Sequence, residues 1–220
     1  MKALVLAAGF PQIALIKELK SRNIEVLVAD YSINPVAKPF ADKYFRVSTL
    51  DVGAITKLAQ DEKVDFLITA CTDQALLTVA KVSKDLNLPC YIDYQTALQV
   101  TNKAYMKKVF VDNEVPTAKH VILGEYSEDL LKGLSWPLIV KPVDCNSSKG
   151  VEKVEDVSSL KRAIDYAVEL SRTNTAVVEE YVCGEELSAD VYIENGVAKL
   201  LSVSGLDKIK DNDKFIIFRG

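Results

Sequence analysis

The sequence holds one histidine, His120, and four cysteines, Cys71, Cys90, Cys145 and Cys183, no two of them in a CxxC pair. A structural zinc site needs four N or S ligands at short spacing, so this scarcity excludes one of ordinary design. The cysteines read as the reduced thiols of a cytoplasmic protein. Long apolar runs are missing as well. The N-terminal run Ala3–Ala8 falls far short of the ~20 residues that span a bilayer. No longer core and no small-residue cleavage pattern follow it, which argues against a signal peptide. Basic charge is not in excess: 27 Lys and Arg stand against 31 Asp and Glu, a formal charge of −4. With no basic stripe interleaved with aromatics, nucleic acid is excluded as the expected partner. Internal repeats, low-complexity segments and Gly/Ser linkers are absent too.

What is present is an ordinary globular composition, 49% hydrophobic and 26% charged over 220 residues, enough for one or two domains with a real core. Through about residue 92 strands and helices alternate. "ALVLAA", "IEVLVAD", Tyr44–Val47, "VDFLITA" and "PCYI" read as strands. Between them, "QIALIKELKSR", "DVGAITKLAQDE" and "QALLTVAKVSKDL" read as helices. This rhythm predicts a Rossmann-like α/β unit, a parallel sheet with helices on both faces. Residues 94–113 carry two helical stretches with no strand between them, and Pro116 ends the second. Beyond it, "KHVIL", a short helix near 127–132, "PLIVKP", "GVEKV", the helix "DVSSLKRAIDYAVELSR" and "AVVEEYV" form a small α+β unit. In that helix Leu160, Ala163, Ile164, Ala167 and Val168 fall on one face. Asn195-Gly196, between two β-rich runs, predicts a tight hairpin turn. The sequence ends with Arg219-Gly220 directly after the apolar run "FIIF", so the expectation is a piece of a longer domain.

Four stretches carry candidate chemistry. "LAAGFPQ" stands at the first strand-to-helix turn, but only Gly9 of Ala7, Gly9 and Gln12 matches the glycines of a dinucleotide fingerprint. Asp30 ends the second strand, where an acid could meet a ribose. A bare turn is the reading preferred here, and a NAD- or NADP-binding oxidoreductase or regulatory module is the alternative. Thr72 and Asp73 open a helix and read as its cap, with Asp73 accepting backbone N–H bonds. In "PLIVKPVDCNSSKG", Lys141 stands at the end of an apolar strand, where its ammonium can be aimed. The following loop offers Ser147, Ser148, Lys149 and Gly150, hydroxyls and backbone N–H groups suited to a polyphosphate. A hairpin loop with a snorkelling lysine explains that stretch alone equally well. "VVEEYVCGEEL" then supplies acceptors, a strand end with backbone N–H groups, and later carboxylates, as an adenosine would need.

Together "NKAYMKKVFVDNEVPT", "WPLIVKPVDCNSSKGV" and "VVEEYVCGEELSADVYI" resemble the ATP-grasp superfamily, most closely its carbamoyl-phosphate synthase large-subunit and biotin carboxylase branch. The resemblance implies a Rossmann-like pre-ATP-grasp domain at 1–93, a helical connection at 94–115, an ATP-grasp small lobe at 116–182 and the start of a large lobe at 183–220. It implies Lys103, Lys141, Ser147, Ser148 and Gly150 at ATP phosphates. Glu179 or Glu180 would meet the adenine amine, Val182 would offer its N–H, and Glu186 would hold the ribose. It further implies ATP and Mg²⁺ as cofactors, with small-molecule carboxylate and amine substrates joined through an acyl phosphate. No membrane partner is implied, and a homodimer is left open. Family metal ligands fall beyond Gly220, and Asp207, Asp211 and Asp213 match none of them, so no metal or catalytic residue is assigned. The chain by itself is expected to bind nucleotide weakly and not turn over. The loop departs from the family in having a single glycine, Gly150.

Overall fold

The computed structural model describes residues 1–211 and 214–219, with side chains through Leu206. The chain divides into two compact units, residues 1–113 and 114–220.

In the first unit the strands are β1 (Lys2–Leu6), β2 (Glu25–Asp30), β3 (Lys43–Arg46) and β4 (Phe66–Ile68). They form one parallel sheet in the order β3-β2-β1-β4. Helices α1 (Phe10–Ser21) and α2 (Val52–Asp61) connect β1 to β2 and β3 to β4, and α3 (Asp73–Asp85) follows β4, leading to α4 (Tyr94–Thr101) and α5 (Lys103–Asp112). Period-two alternation divides the core. Ala3 and Val5 of β1 pack with Ile16 and Leu19 of α1 on one face. Leu4 and Leu6 pack with Ile55 of α2 and Val79 of α3 on the other. Both faces are covered, which is why the strands read as continuous apolar runs.

Two expectations need correction. "PCYI" is not a strand. Pro89 has no N–H to give a ladder, and Tyr91 reaches Thr69, one residue past β4, through its hydroxyl, 3.3 Å from Thr69 O. At α3 the cap position belongs to Thr72, without a side-chain cap bond, and Asp73 is the first helical residue.

The second unit carries β5 (His120–Leu123), α6 (Glu128–Leu131), β6 (Leu138–Pro142), β7 (Glu152–Val154), α7 (Val157–Leu170) and β8 (Ala176–Glu180). The strands form an antiparallel sheet in the order β5-β8-β6-β7. Asp156 caps α7, accepting from Ser159 N at 3.1 Å and Ser158 Oγ at 2.6 Å. The helix buries Leu160, Ala163, Ile164 and Ala167 against Leu138, Val140, Val154, Ala176 and Val178. Only one sheet face is used for this core. Two hairpins complete the unit: β9 (Leu187–Glu194) with β10 (Val197–Gly205), and β11 (Asp207–Asp211) with β12 (Lys214–Arg219). Asn195 and Gly196, at φ 51° and 76°, make the turn between the first pair, both left-handed as a type I′ turn requires.

Truncating fully buried Ile164 to alanine should cost about 2–5 kcal/mol, read as a lower urea midpoint. A pH effect is expected in the first unit. Asp42 accepts from Lys20 Nζ at 2.6 Å and Val26 N at 2.8 Å, and chiefly the lysine holds its carboxyl below the ordinary range. A depressed carboxylate stabilises the fold above its unfolded pKa, near 3.9, and loses that effect as pH falls through the folded value. Asp42→Asn should therefore lower stability at neutral pH by less than about 1 kcal/mol, since the pair is solvent-screened. In melts at descending pH the gap to the parent should close below pH ~4. A gap that stays constant to pH ~2 would remove this role.

Candidate nucleotide site

The register of β6 and β8 places the candidate side chains. Ile139 pairs with Glu179 and Lys141 with Val177. Even-numbered Leu138, Val140, Ala176 and Val178 lie under α7, so odd-numbered Ile139, Lys141, Val177 and Glu179 project from the opposite face. Lys141 is then diagonal to Glu179, a separation that long side chains close. Lys141 Nζ donates to Glu179 Oε1 in an ion pair between residues 38 apart in sequence. Their side chains are 20% and 11% exposed.

This pair lies in a cleft of about 380 Å³ whose lining includes Lys141, Ser148, Glu179, Glu180, Val182 and Glu186. Six of the nine residues implicated by sequence therefore meet in one cavity. Ser147 and Gly150 belong to the loop after β6 but not to the lining. Lys103 belongs to the first unit, where it opens α5 behind the Asn102 cap. Ala118, Ile139, Val151, Tyr181 and Gly184 also line the cleft and were missed. For Ile139 the signal was available, since it shares the strand parity of Lys141.

The two glutamates differ. Glu180 lies on the other strand parity and accepts Ser135 N at 2.8 Å through Oε1. Glu179 faces Lys141. Ladder pairing of β8 ends with Tyr181 N donating to Pro137 O at 2.9 Å, and Val182 follows outside the strand, 71% exposed. Lys153 stacks over the Tyr181 ring at 4.5 Å and pairs with Glu155 at 2.7 Å. The Glu155 carboxylate holds its ammonium above the ordinary range.

The loop after β6 is pinned at its base. Buried Asp144 accepts from Arg172 N at 3.2 Å, Thr173 N at 3.1 Å and Thr173 Oγ1 at 3.2 Å. Arg172 Nη2 also donates to Asp144 O at 2.8 Å. Ser147 and Ser148, both at φ 55°, turn the tip. Gly150 closes it at φ 72°, where a Cβ would meet Leu170 Cδ1 at 2.6 Å and Pro142 Cγ at 2.9 Å. Its role is close approach at the loop base.

The model of the family "D-ala D-ala ligase C-terminus" matches residues 98–219. The chain belongs to this ATP-grasp family. It is 32% identical over 126 residues to the D-alanine--D-alanine ligase of Flavobacterium psychrophilum, covering 56% of this chain and 37% of that one. With the N-terminal section of the carbamoyl phosphate synthase large chain of Methanopyrus kandleri it shares 22% over 207 residues, 88% of this chain and 36% of the relative. The chain thus spans less than half the length of the curated relatives it matches. Among solved structures it resembles the biotin carboxylase domain of the Hydrogenobacter thermophilus 2-oxoglutarate carboxylase, determined with MgADP and bicarbonate. There the TM-score is 0.79 at 17% identity, over 97% of this chain and 51% of that one. The ADP complex of the purK product, N5-carboxyaminoimidazole ribonucleotide synthetase, gives 0.76 at 17%, over 97% and 55%. At these identities the structural likeness speaks for the ATP-grasp fold.

The oxidoreductase alternative finds no support in these relatives. Its acid is also engaged elsewhere: Asp30 accepts from Ala8 N at 3.0 Å and Ser32 N at 2.8 Å, one bond on each carboxylate oxygen.

Gly150→Ala should destabilise the second unit by about 1–3 kcal/mol, from the left-handed φ and the overpacked methyl together. Chemical denaturation of the variant reads this, and an unchanged midpoint would refute the close-approach role.

Proposed function

We propose that the cleft of the second unit binds ATP, and that the protein serves an ATP-dependent carboxylate–amine ligase working through an acyl phosphate. The observation that carries this reading is the meeting of Lys141, Ser148, Glu179, Val182 and Glu186 in one cleft. Its volume lies within the ~300–1,000 Å³ typical of small-molecule sites. The donor set has two chemically distinct ends. Lys141 and the hydroxyl-bearing loop of Ser147, Ser148 and Gly150 suit phosphate oxygens. Glu179 suits an exocyclic amine, the Val182 N–H a ring nitrogen, and Glu186 the ribose hydroxyls. Of the two candidates for the adenine amine, Glu179 is preferred over Glu180 because its strand parity directs it into the cleft. Lys103 is assigned to the phosphates on family resemblance.

In such a ligase the lysines lower the cost of charge building on the transferring phosphoryl group. A carboxylate oxygen takes the γ-phosphoryl group as its bond to ADP breaks, and the amine then attacks the acyl carbon, expelling phosphate and losing a proton. When bound, Mg²⁺ would supply positive charge that offsets the charge of the phosphates. Among the described residues no group of three His, Cys, Asp or Glu side chains is placed to hold a metal, so no step through magnesium is derived from this chain. The same reading takes residues 1–93 as a pre-ATP-grasp domain, 94–115 as a helical connection, 116–182 as the small lobe and 183–220 as the start of the large lobe. It also places the protein in the cytoplasm. A homodimer is part of this reading, on the precedent of the biotin carboxylase domain dimer.

ATP and ADP should raise the melting temperature, whereas NAD and NADP should leave it unchanged. Lys141→Ala should weaken ATP binding roughly 10- to 100-fold, the worth of one charge-assisted hydrogen bond. Titration calorimetry giving the parent affinity for the alanine variant would remove Lys141 from the site.

A further inference from the structure

The first unit holds a cavity of its own, of about 480 Å³, between the C-terminal half of α3 and the segment that leads into α4. It exists because residues 89–92 stay out of the parallel sheet. Tyr91 turns to Thr69, and its neighbours Cys90 and Ile92 line the cavity. We propose that this cavity binds a free α-amino acid with an apolar side chain. The proposal goes beyond the nucleotide reading and does not rest on it, since every lining residue belongs to the first unit.

Two opposite charges line the cavity without pairing. Lys84, in the last turn of α3, makes no ion pair among the described residues, and its ammonium lies over the Tyr94 ring, 5.7 Å from the centroid. Asp93 caps α4, accepting from Thr96 N at 3.0 Å and from Thr96 Oγ1. The Thr96 hydroxyl, with the backbone N–H of the same residue, holds its carboxyl below the ordinary range. An ionised carboxylate has about four acceptor positions, so each Asp93 oxygen keeps one for a ligand. Leu88 and Ile92 add apolar wall. The volume falls within the ~300–1,000 Å³ of small-molecule sites.

Each charge has a local reason to be there: a lysine favours a helix C-terminus and an aspartate an N-cap. Helix chemistry does not account for their meeting in one cavity. An organic anion would satisfy Lys84 and be repelled by Asp93, and an amine would meet the reverse. A zwitterion satisfies both, with its carboxylate on Lys84 and its ammonium on Asp93. An α-amino acid carries the two charges on one carbon, leaving its side chain for Leu88 and Ile92.

The test is titration calorimetry of the 220-residue chain with L-leucine, expected to saturate with a Kd of about 1 mM or tighter. 4-Methylpentanoate, which lacks the ammonium, and leucinamide, which lacks the carboxylate, should each bind about fivefold more weakly. Lys84→Gln keeps a good helix former and Asp93→Asn keeps a capping side chain, and each should cost leucine about fivefold. In the parent itself, saturating leucine should slow iodoacetamide labelling of Cys90, read by mass spectrometry. Cys183 of the second unit, also exposed, should keep its own rate. No binding at ~20 mM leucine, or glycine bound as tightly as leucine, overturns the proposal. Leucine binding that leaves Cys90 labelling unchanged, or that both variants retain in full, puts the amino acid elsewhere and overturns this site. None of these outcomes touches ATP binding, which Lys141→Ala tests separately.

Discussion

The second unit depends on the register between β6 and β8. Pairing Ile139 with Glu179 sets Leu138, Val140, Ala176 and Val178 on the face that α7 covers. The same pairing sets Lys141 and Glu179 on the other face, within reach of one another. Exchanging the two faces would place a lysine and a glutamate in the core and the four apolar side chains Leu138, Val140, Ala176 and Val178 on the cleft side. Core burial therefore selects the register, and the register delivers the charged pair. Stability and site are two consequences of one pleat.

The loop after β6 shows how a glycine-poor segment still reaches a defined shape. Flexible glycines are not needed at its tip, because Ser147 and Ser148 take left-handed conformations there. The order is imposed from below. Asp144 ties the base to the backbone of Arg172 and Thr173, and Gly150 lets the returning chain pass against Pro142 and Leu170. A buried carboxylate with three donors is a stiff anchor, so the hydroxyl-bearing tip is carried on a fixed support.

Much of the fold was legible in the sequence. Apolar runs covered on both faces marked the parallel strands, and the i, i+3, i+4, i+7 apolar face of α7 marked its buried side. Asn195-Gly196 marked its hairpin. What misled was local resemblance without a partner: "PCYI" has strand composition, yet Pro89 and the hydroxyl-mediated contact of Tyr91 leave it outside the ladder. At the candidate site, six of the residues singled out by type in the sequence line one cleft. Ile139 and Tyr181 were not singled out, since apolar and aromatic lining carries no motif of its own.

The lysine of "PLIVKPVDCNSSKG" marks the division most clearly. By itself the sequence determined which residue types were on hand, their order along the chain and the strand on which Lys141 stands. Whether that lysine faced the core, open solvent or a cleft was decided only when β8 came to lie beside β6. The partner it found, Glu179, is 38 residues away in sequence. Non-local pairing is invisible to a local pattern, because the free energy that selects it comes from the apolar face buried under α7 and not from the charged residues themselves.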